Sequence, residues 1–319
     1  MDALVVGAGV SGLSCAVRLG EAGLRVEIWS EQRGARTTSA VAAAIWYAYK
    51  AGPREKVDAW ALESYAEFRH LARDAASGVT MRAGVELLPD DGVSPAWRGG
   101  LDGFRALARG EGTRGTAFEY VVPVVEMPLY LAYLERRALR AGARVIERKL
   151  HALDEALAVC PLVVNCTGLG ARALTDDTDL HPIRGQVVRV DKCGIERFLL
   201  DDYNPRGLTY VVPRSHDCVL GGTAEAGLEG LEPDDAVTRA ILARCTEHEP
   251  RLARAHVLAV AVGLRPGRSS VRLECETRER GIVVHDYGHG GAGVTLSWGC
   301  ANEVLRLARS AGGVRHAAR

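Results

Sequence analysis

The strongest constraint on the fold is a glycine-rich segment that follows a short apolar run at the start of the chain. Ala3–Val6 has the composition of a parallel strand buried on both faces. Gly7, Gly9 and Gly12 follow in GxGxxG spacing, and the next residues predict a helix that stops at Gly23. The first two glycines let the backbone approach a diphosphate, and the third lets helix and strand pack closely. The segment predicts a Rossmann-like α/β dinucleotide-binding unit.

Two further patterns extend this unit. Leu24–Trp29 predicts a second strand, and Glu31 lies nineteen residues past Gly12, where a ribose-binding carboxylate is expected. The segment 37–49, TTSAVAAAIWYAY, offers hydroxyls to phosphate oxygens and small residues that a flat ring can approach. A helix capped by Thr38 or Ser39 is an alternative interpretation of the same segment.

A second glycine-rich segment, HDYGHGGAGVTLSWGCA, occupies residues 285–301. It has the pattern of a strand, a sharp turn and a helix from about Thr295. Leu162–Thr167 is another apolar run, and it ends in the small-residue turn Gly168-Leu169-Gly170. Because such turns meet at the carboxyl edge of a parallel sheet, we expect both ends of the chain to enclose one large cofactor.

The composition gives no indication that the protein binds nucleic acid or a membrane. The 40 basic residues balance the 40 acidic ones, which gives no reason to expect nucleic acid or an anionic membrane surface. No apolar run approaches the roughly 20 residues of a membrane helix, and no charged leader precedes the first strand, so the expected location is the cytoplasm. The eight cysteines form no CxxC and are interpreted as core residues, with no metal site predicted.

The chain resembles the D-amino-acid oxidases over nearly its whole length. The motifs that carry the resemblance, in order, are GAGVSGLS, TTSAVAAAIW, VVNCTG, RGQVVRV, YVVPR, LGGT, GLRPGRSSVRLE and YGHGGAGVTLSWGCA. The resemblance implies FAD as cofactor, a second lobe with a mixed sheet over the flavin, and a homodimer. Together with the patterns above, it gives these cofactor-binding candidates: Gly7, Ala8, Gly9, Val10, Ser11, Gly12, Glu31, Gln32, Thr38, Ser39, Ala43, Ala44, Ile45, Trp46, Leu150, Thr167, Gly168, Gly290, Gly291, Gly293, Val294 and Thr295.

An amino-acid substrate brings a carboxylate that a dry site must pair, and arginine can hold it by two hydrogen bonds. Arg265 follows the apolar run Val257–Val262, so it is expected at a strand end, and it matches the family's carboxylate-binding arginine; the alternative is a surface arginine. Tyr210 corresponds to the family's tyrosine on the same carboxylate, or is an ordinary strand residue. The resemblance assigns the Gly291 carbonyl to the substrate amine. His289 is interpreted as a hydrogen-bonding residue and not as a base.

The reaction implied is oxidative deamination of a D-amino acid. A hydride passes from Cα to flavin N5, and oxygen then reoxidises the flavin. The products are a 2-oxo acid, ammonia and hydrogen peroxide. The protein supplies orientation and electrostatics, and the cofactor carries the chemistry.

The sequence departs from the family in the loop Asp201–Leu208, which is shorter than the vertebrate active-site lid. Arg206 stands where those enzymes have a second tyrosine, and Tyr203 is the candidate replacement in the substrate pocket. The positions of the arginines that D-aspartate oxidases use hold Tyr203 and Ala224. We therefore predict neutral, and in addition basic, D-amino acids over D-aspartate, with Arg206 and Arg214 as the residues that could reverse this. Ala44 replaces a glycine that relatives often have.

The predicted FAD domain combines residues 1–50, 140–185 and 256–319, and the substrate and interface domain combines 51–139 and 186–255. Asp90–Gly115 is expected to be a surface loop and the tail Ala311–Arg319 to fray. The alternatives are a D-aspartate oxidase, a glycine or sarcosine oxidase, an NAD-dependent dehydrogenase and a non-catalytic FAD-binding protein.

Overall fold

The first sheet contains both glycine-rich segments at the ends of its strands. A computed structural model describes residues 1–89, 99–107 and 116–312. Six strands form this sheet: β1 (Ala3–Val6), β2 (Val26–Ser30), β6 (Arg144–Glu147), β7 (Leu162–Asn165), β14 (Arg272–Arg278) and β15 (Gly281–Tyr287). Their order is β14-β15-β7-β1-β2-β6, and all neighbours are parallel except β14 and β15. This confirms the predicted Rossmann-like unit.

A second, mixed sheet of nine strands forms the other lobe. Its strands are β3 (Val79–Leu88), β4 (Arg105–Leu107), β5 (Thr116–Val125), β8 (His181–Asp191), β9 (Phe198–Asp201), β10 (Thr209–Pro213), β11 (Asp217–Gly221), β12 (Glu225–Ala226) and β13 (Val257–Gly267). β3 pairs with β9 in parallel and the other pairs are antiparallel. The predicted second lobe with a mixed sheet is confirmed.

Seven α-helices surround the sheets in the described residues. They are α1 (Val10–Glu21), α2 (Arg54–Leu71), α3 (Met127–Arg140), α4 (Leu153–Leu157), α5 (Ala171–Thr175), α6 (Asp235–His248) and α7 (Gly293–Ser310). α1 packs against α3 and α7, α2 packs against α7, and α6 covers β8, β10 and β11. No helix among these residues is long and apolar enough to cross a bilayer.

The structure excludes one alternative interpretation and differs from the predicted domain boundaries. The segment 38–49 forms a short 3-10 turn (Thr38–Val41) followed by irregular chain, and not an alanine-rich helix. β13 and the start of β8 belong to the second sheet, whereas the predicted boundaries at 185 and 256 put them in the FAD domain. An apolar run fixes a strand but not the sheet that it joins, because pairing partners are distant in sequence.

The predicted loop Asp90–Gly115 contains strand β4, and its residues 90–98 and 108–115 lie outside the described part of the chain. So do residues 313–319 of the tail that is predicted to fray. The predicted behaviour of both segments stays a prediction.

A close helix contact joins α7 to α2. In α7, the backbone N–H groups of Trp298 and Gly299 both donate to the Ser64 hydroxyl of α2, at 3.1 and 2.9 Å. A Cβ added at Gly299 would lie 2.3 Å from the Trp60 carbonyl oxygen and 2.4 Å from its Cα. Only glycine permits this approach, since backbone atoms cannot move aside as a side chain can.

We expect Gly299→Ala to lower the free energy of unfolding by about 2–3 kcal/mol, because the methyl group forces α2 and α7 apart. Chemical denaturation of the apoprotein measures this. Gly100→Ala, where an added methyl meets nothing within 4 Å, serves as the control and should change stability by less than about 0.5 kcal/mol. Equal stability of both variants would contradict the close contact.

Candidate active site

One long cavity runs between the two sheets. Its lining comes from the first glycine turn, the segment 38–49, the residues after β7, the strands β9, β10 and β13, and the turn between β15 and α7. These segments are far apart in sequence and meet because the carboxyl ends of β1, β7 and β15 lie side by side in the sheet.

The end of the cavity at the N-terminus of α1 has the features of a diphosphate site. Gly7 has φ +110°, and a Cβ there would lie 2.4 Å from the Cys166 carbonyl oxygen. A Cβ at Gly12 would lie 2.0 Å from the Gly7 carbonyl oxygen, which confirms its packing role. The first-turn N–H groups of Ser11 and Gly12 have no intrahelical acceptor, as at every helix start, so they are available to an anion. The cradle fits the diphosphate of a dinucleotide.

Hydroxyl groups brace this turn. Ser30 Oγ accepts a hydrogen bond from the Ala8 N–H at 3.1 Å, and Ser39 Oγ accepts one from the Val10 N–H at 3.0 Å. Thr38 and Ser39 both line the cavity. Ser39 therefore supports the backbone of the glycine turn in addition to facing the cavity.

At the opposite end, the second glycine turn is held against the segment that precedes α2. The Gly290 N–H donates to the Pro266 carbonyl at 2.8 Å, and the Gly291 N–H donates to the Tyr49 carbonyl at 3.2 Å. Gly290 has φ +55°, and a Cβ there would lie 2.1 Å from the Lys50 carbonyl oxygen. α7 begins at Gly293, two residues before the predicted start, so its positive end faces the cavity.

Most of the predicted cofactor residues line this cavity. They are Gly7, Ala8, Gly9, Val10, Ser11, Gln32, Thr38, Ser39, Ala43, Ala44, Ile45, Thr167, Gly168, Gly290, Gly291, Gly293, Val294 and Thr295. The flat-ring interpretation of the small residues 42–45 agrees with their position on the wall. Ala44 has φ +55°, a left-handed conformation that favours glycine.

Four predicted cofactor residues lie outside the lining: Gly12, whose Cα packs against the Gly7 carbonyl, and Glu31, Trp46 and Leu150. Glu31 is exposed and its carboxylate pairs with Lys149 at 3.0 Å. Trp46 is buried behind the wall, where its indole N–H donates to the Ala61 carbonyl at 3.0 Å. Leu150 packs against a cluster on the other face of the first sheet. Each residue sits in the expected segment, but side-chain direction could not be read from the sequence.

Arg265 lines the cavity. It lies within β13, where it pairs with Ile183 of β8, and not beyond the end of the strand as predicted. A Cβ at Gly185 would lie 2.0 Å from Arg265 Nη1. The guanidinium therefore occupies the space that a side chain at position 185 would fill. Nη1 donates to the Thr223 carbonyl at 3.0 Å. No carboxylate of the described residues forms an ion pair with Arg265, so the cation is available to an anionic ligand.

Tyr210 lines the same part of the cavity. It lies in β10 opposite Gly221 of β11, and a Cβ at Gly221 would be 1.8 Å from the tyrosine Cζ. The ring thus occupies the space that the glycine leaves. Burial raises the pKa of Tyr210 to about 12, while the positive charge of Arg265 acts to lower it. The phenol stays protonated near neutral pH and can donate a hydrogen bond beside the arginine.

An acidic residue near Arg265 and Tyr210, Asp202, was not predicted from the sequence. Asp202 lines the cavity, and burial raises its pKa to about 6, with the Tyr47 hydrogen bond acting to lower it. The Tyr47 hydroxyl also approaches Glu86 Oε1 at 3.3 Å, and Glu86 accepts a 2.9 Å hydrogen bond from Tyr120. The only signal in the sequence was the Asp201-Asp202 doublet, which does not reveal which carboxylate turns inward.

An outer groove adjoins the cavity and shares Tyr49, Asp202 and Leu208 with it. Tyr203 lies in this groove, 58% exposed, and so lies outside the cavity where the sequence placed it. Arg206 also lines the groove and pairs with Glu247, with Nη1 at 2.7 Å from Oε1. Ala224 is part of the same groove.

Arg214, the other arginine that could reverse the specificity, is buried elsewhere. Its Nε donates to Asp217 Oδ1 at 2.6 Å, and its Nη2 to Oδ2 at 2.5 Å. Neither Arg214 nor Arg206 lines the cavity that holds Arg265.

Behind the second glycine turn lies a buried cluster of thiols around Asp286. Cys15 Sγ is 3.4 Å from Asp286 Oδ2, Cys166 Sγ is 4.0 Å from Cys15 Sγ, and His289 Nε2 is 3.0 Å from Asp286 Oδ1. The last contact confirms the hydrogen-bonding role of His289. The hydrogen bond with Cys166 and burial raise the pKa of the Cys15 thiol, and burial raises that of Cys300. These thiols are therefore protonated and serve as small buried donors.

Comparisons with known proteins place this site in context. Residues 2–307 match the family described as DAO, FAD dependent oxidoreductase. The chain is 51% identical to the D-amino-acid oxidase of Rubrobacter xylanophilus, over 97% of this chain and 96% of the relative. It is 44% identical to that of Streptomyces coelicolor over 96% of each chain, and 38% identical to the D-aspartate oxidase of Homo sapiens over 95% of this chain and 93% of the relative.

Among solved structures, glycine oxidase from Geobacillus kaustophilus is similar with a TM-score of 0.81, covering 97% of this chain and 94% of that chain. The sequence identity is 20%, so this likeness shows the shared fold alone.

We expect Gly9→Ala to weaken FAD binding at least tenfold without destabilising the apoprotein. Gly9 has φ −78°, which any residue adopts, but a Cβ would lie 3.1 Å from Ser39 Oγ and crowd the diphosphate cradle. Titration of the apoprotein with FAD, followed by flavin fluorescence, measures the affinity. Gly230→Ala, where an added methyl meets nothing, is the control. Unchanged affinity in Gly9→Ala would contradict the cradle.

Proposed function

Because the chain belongs to the FAD-dependent D-amino-acid oxidase family, we propose that it oxidises neutral D-amino acids, and in addition basic ones, in preference to D-aspartate. The observation that carries this proposal is the pair Arg265 and Tyr210, whose donors enter the cavity without a carboxylate partner among the described residues. The FAD cradle and this pair lie in one continuous cavity, so cofactor and substrate can meet.

The substrate carboxylate binds Arg265 and Tyr210. The guanidinium offers a planar set of donors, and the backbone of Gly185 leaves room for it. The protonated Tyr210 adds a neutral donor to the same anion. Burial of Tyr210 strengthens its contact, because few waters compete with the phenol for the carboxylate.

The Gly291 carbonyl is the proposed acceptor for the substrate amine. The N–H of the same peptide group, that of Ala292, donates to the His289 carbonyl at 2.9 Å, and this bond holds the orientation of the Gly291 carbonyl. No hydrogen bond to the Gly291 carbonyl comes from a described residue, which leaves the oxygen for the ligand. With carboxylate and amine held at two fixed points, the two enantiomers exchange the positions of side chain and α-hydrogen, and this gives chiral selection.

When bound, FAD supplies the hydride acceptor that the chain itself lacks. The substrate loses its α-hydrogen as hydride and its amine becomes an imine, which water converts to the 2-oxo acid and ammonia. Oxygen takes up the electron pair and two protons to give hydrogen peroxide. A cytoplasmic location and a homodimer belong to the same proposal, and the mass in solution tests the dimer.

D-aspartate oxidase is the nearest alternative function, since a human enzyme of that name is 38% identical. A second carboxylate on the substrate would need a second cation in the cavity. Among the described residues, Arg265 is the arginine that lines it, whereas Arg206 and Arg214 pair with acids. This distribution of charge favours uncharged side chains over acidic ones.

The purified protein loaded with FAD should be yellow and should bleach under anaerobic conditions with D-alanine but not with L-alanine. The visible spectrum before and after each addition checks cofactor, reaction class and stereochemistry together. Bleaching by neither isomer would contradict the proposed activity. Bleaching by glycine alone would indicate a glycine oxidase instead.

We expect Arg265→Lys to lower kcat/KM for D-alanine by about 100-fold and Tyr210→Phe by about tenfold, with a large part of each loss in KM. The first change removes a paired, charge-assisted contact and the second a single hydrogen bond. Steady-state oxygen consumption measures both. Arg206→Lys, in the outer groove, should stay within about twofold of wild type. Wild-type kinetics in Arg265→Lys would rule out the carboxylate site.

A further inference from the structure

Among the described residues, Asp202 is a carboxylate at the rim between the cavity and the outer groove that forms no ion pair. Asp202 lines both spaces, next to Tyr49 and Leu208. It follows β9 directly, whereas its neighbour Asp201 turns the other way and lies 3.2 Å from His248. The two adjacent acids thus have separate surroundings, one in the site and one outside it.

Asp202 lacks a cationic partner in the described part of the chain. No arginine, lysine or histidine nitrogen of these residues lies within 4.0 Å of its carboxylate, and its hydrogen bond comes from the neutral Tyr47. Lys50 lowers its pKa only weakly, and the carboxylates of Glu86 and Asp201 raise it. A partly buried acid in such surroundings is stabilised by any cation that enters.

We propose that Asp202 forms a subsite for a cationic substrate side chain, so that the protein favours D-arginine and D-lysine over uncharged amino acids of the same length. The inference rests on the proposed function, because Arg265 and Tyr210 must first hold the α-carboxylate. A long side chain that leaves the cavity toward the outer groove passes Asp202 at the shared rim. Short neutral side chains end before it, and acidic ones meet repulsion there.

The charge on Asp202 should control this preference. Above a pH of about 6 the carboxylate is ionised and attracts a cation; below it the group is neutral and the attraction is lost. The groups that act on Asp202 or lie beside it in the cavity are Tyr47, Tyr49, Lys50, Glu86, Asp201 and Tyr210. Arg206 and Arg244 line the outer groove; Arg206 pairs with Glu247, and Arg244 donates to the Gly222 carbonyl. Burial raises the pKa of Tyr49 and Tyr210, so neither tyrosine contributes charge in this range.

The test compares D-arginine with D-citrulline, its uncharged isostere, using the FAD-loaded enzyme at pH 8. We expect the wild-type kcat/KM ratio of D-arginine to D-citrulline to be at least about tenfold, the size of one close charge interaction. Asp202→Asn should bring the ratio near one, mainly through a higher KM for D-arginine. D-leucine oxidation should stay within about threefold.

Asp201→Asn is the matched control, because it removes the same charge one residue away and outside the cavity. It should keep the wild-type ratio within about twofold. A second measurement needs no variant: the wild-type ratio should rise as pH increases from 5 to 7.5.

An unchanged ratio in Asp202→Asn, or a wild-type ratio near one across this pH range, would overturn the subsite. An equal loss on D-arginine, D-citrulline and D-leucine would also overturn it, because Asp202 would then act on a group that all three share. If the wild type oxidises D-leucine but shows no preference for D-arginine, the proposed function stands and the subsite fails. Inactivity toward all three substrates would instead overturn the proposed function, and the subsite with it.

Discussion

The site depends on the hydrogen bonds that fasten the C-terminal helix to the segment before α2. The Thr295 hydroxyl accepts from the Tyr47 N–H and donates to the Tyr47 carbonyl, both at 3.0 Å, across 248 positions of sequence. The Gly291 N–H adds a bond to Tyr49. These contacts fix the wall that carries Ala44 and Tyr47 relative to the turn that carries the proposed amine acceptor. They thereby join the two walls at the Gly291 end of the cavity.

Much of the fold could be predicted because few backbone conformations fit the glycine patterns. Gly7 and Gly12 fit only where backbone meets backbone, and an apolar run before them must be a buried strand. The same reasoning located the second turn at Gly290. The family resemblance then indicated Arg265 and Tyr210, and the structure brings both into one cavity with the glycine turns. Their roles remain proposals.

The failures have a common physical origin. Trp46 and Glu31 are in the correct segments, yet one side chain is buried behind the wall and the other is exposed to solvent. Which face a residue presents in an irregular segment depends on tertiary contacts, and no periodicity encodes it. Asp202 and Asp201 illustrate the same limit, since two identical neighbours have opposite directions. The sheet membership of β13 was likewise decided by long-range pairing with β8.

The order of strands in the first sheet also has a consequence for biosynthesis. β1 is synthesised long before the strands beside it, since its neighbour β7 ends at Asn165 and the next strand, β15, ends at Tyr287. About 270 further residues must therefore be synthesised after α1 before α7 can pack against it. Contacts of such long range form late. The nascent chain is expected to acquire its cofactor late, after residues 293–310 have been synthesised and α7 has packed against α1.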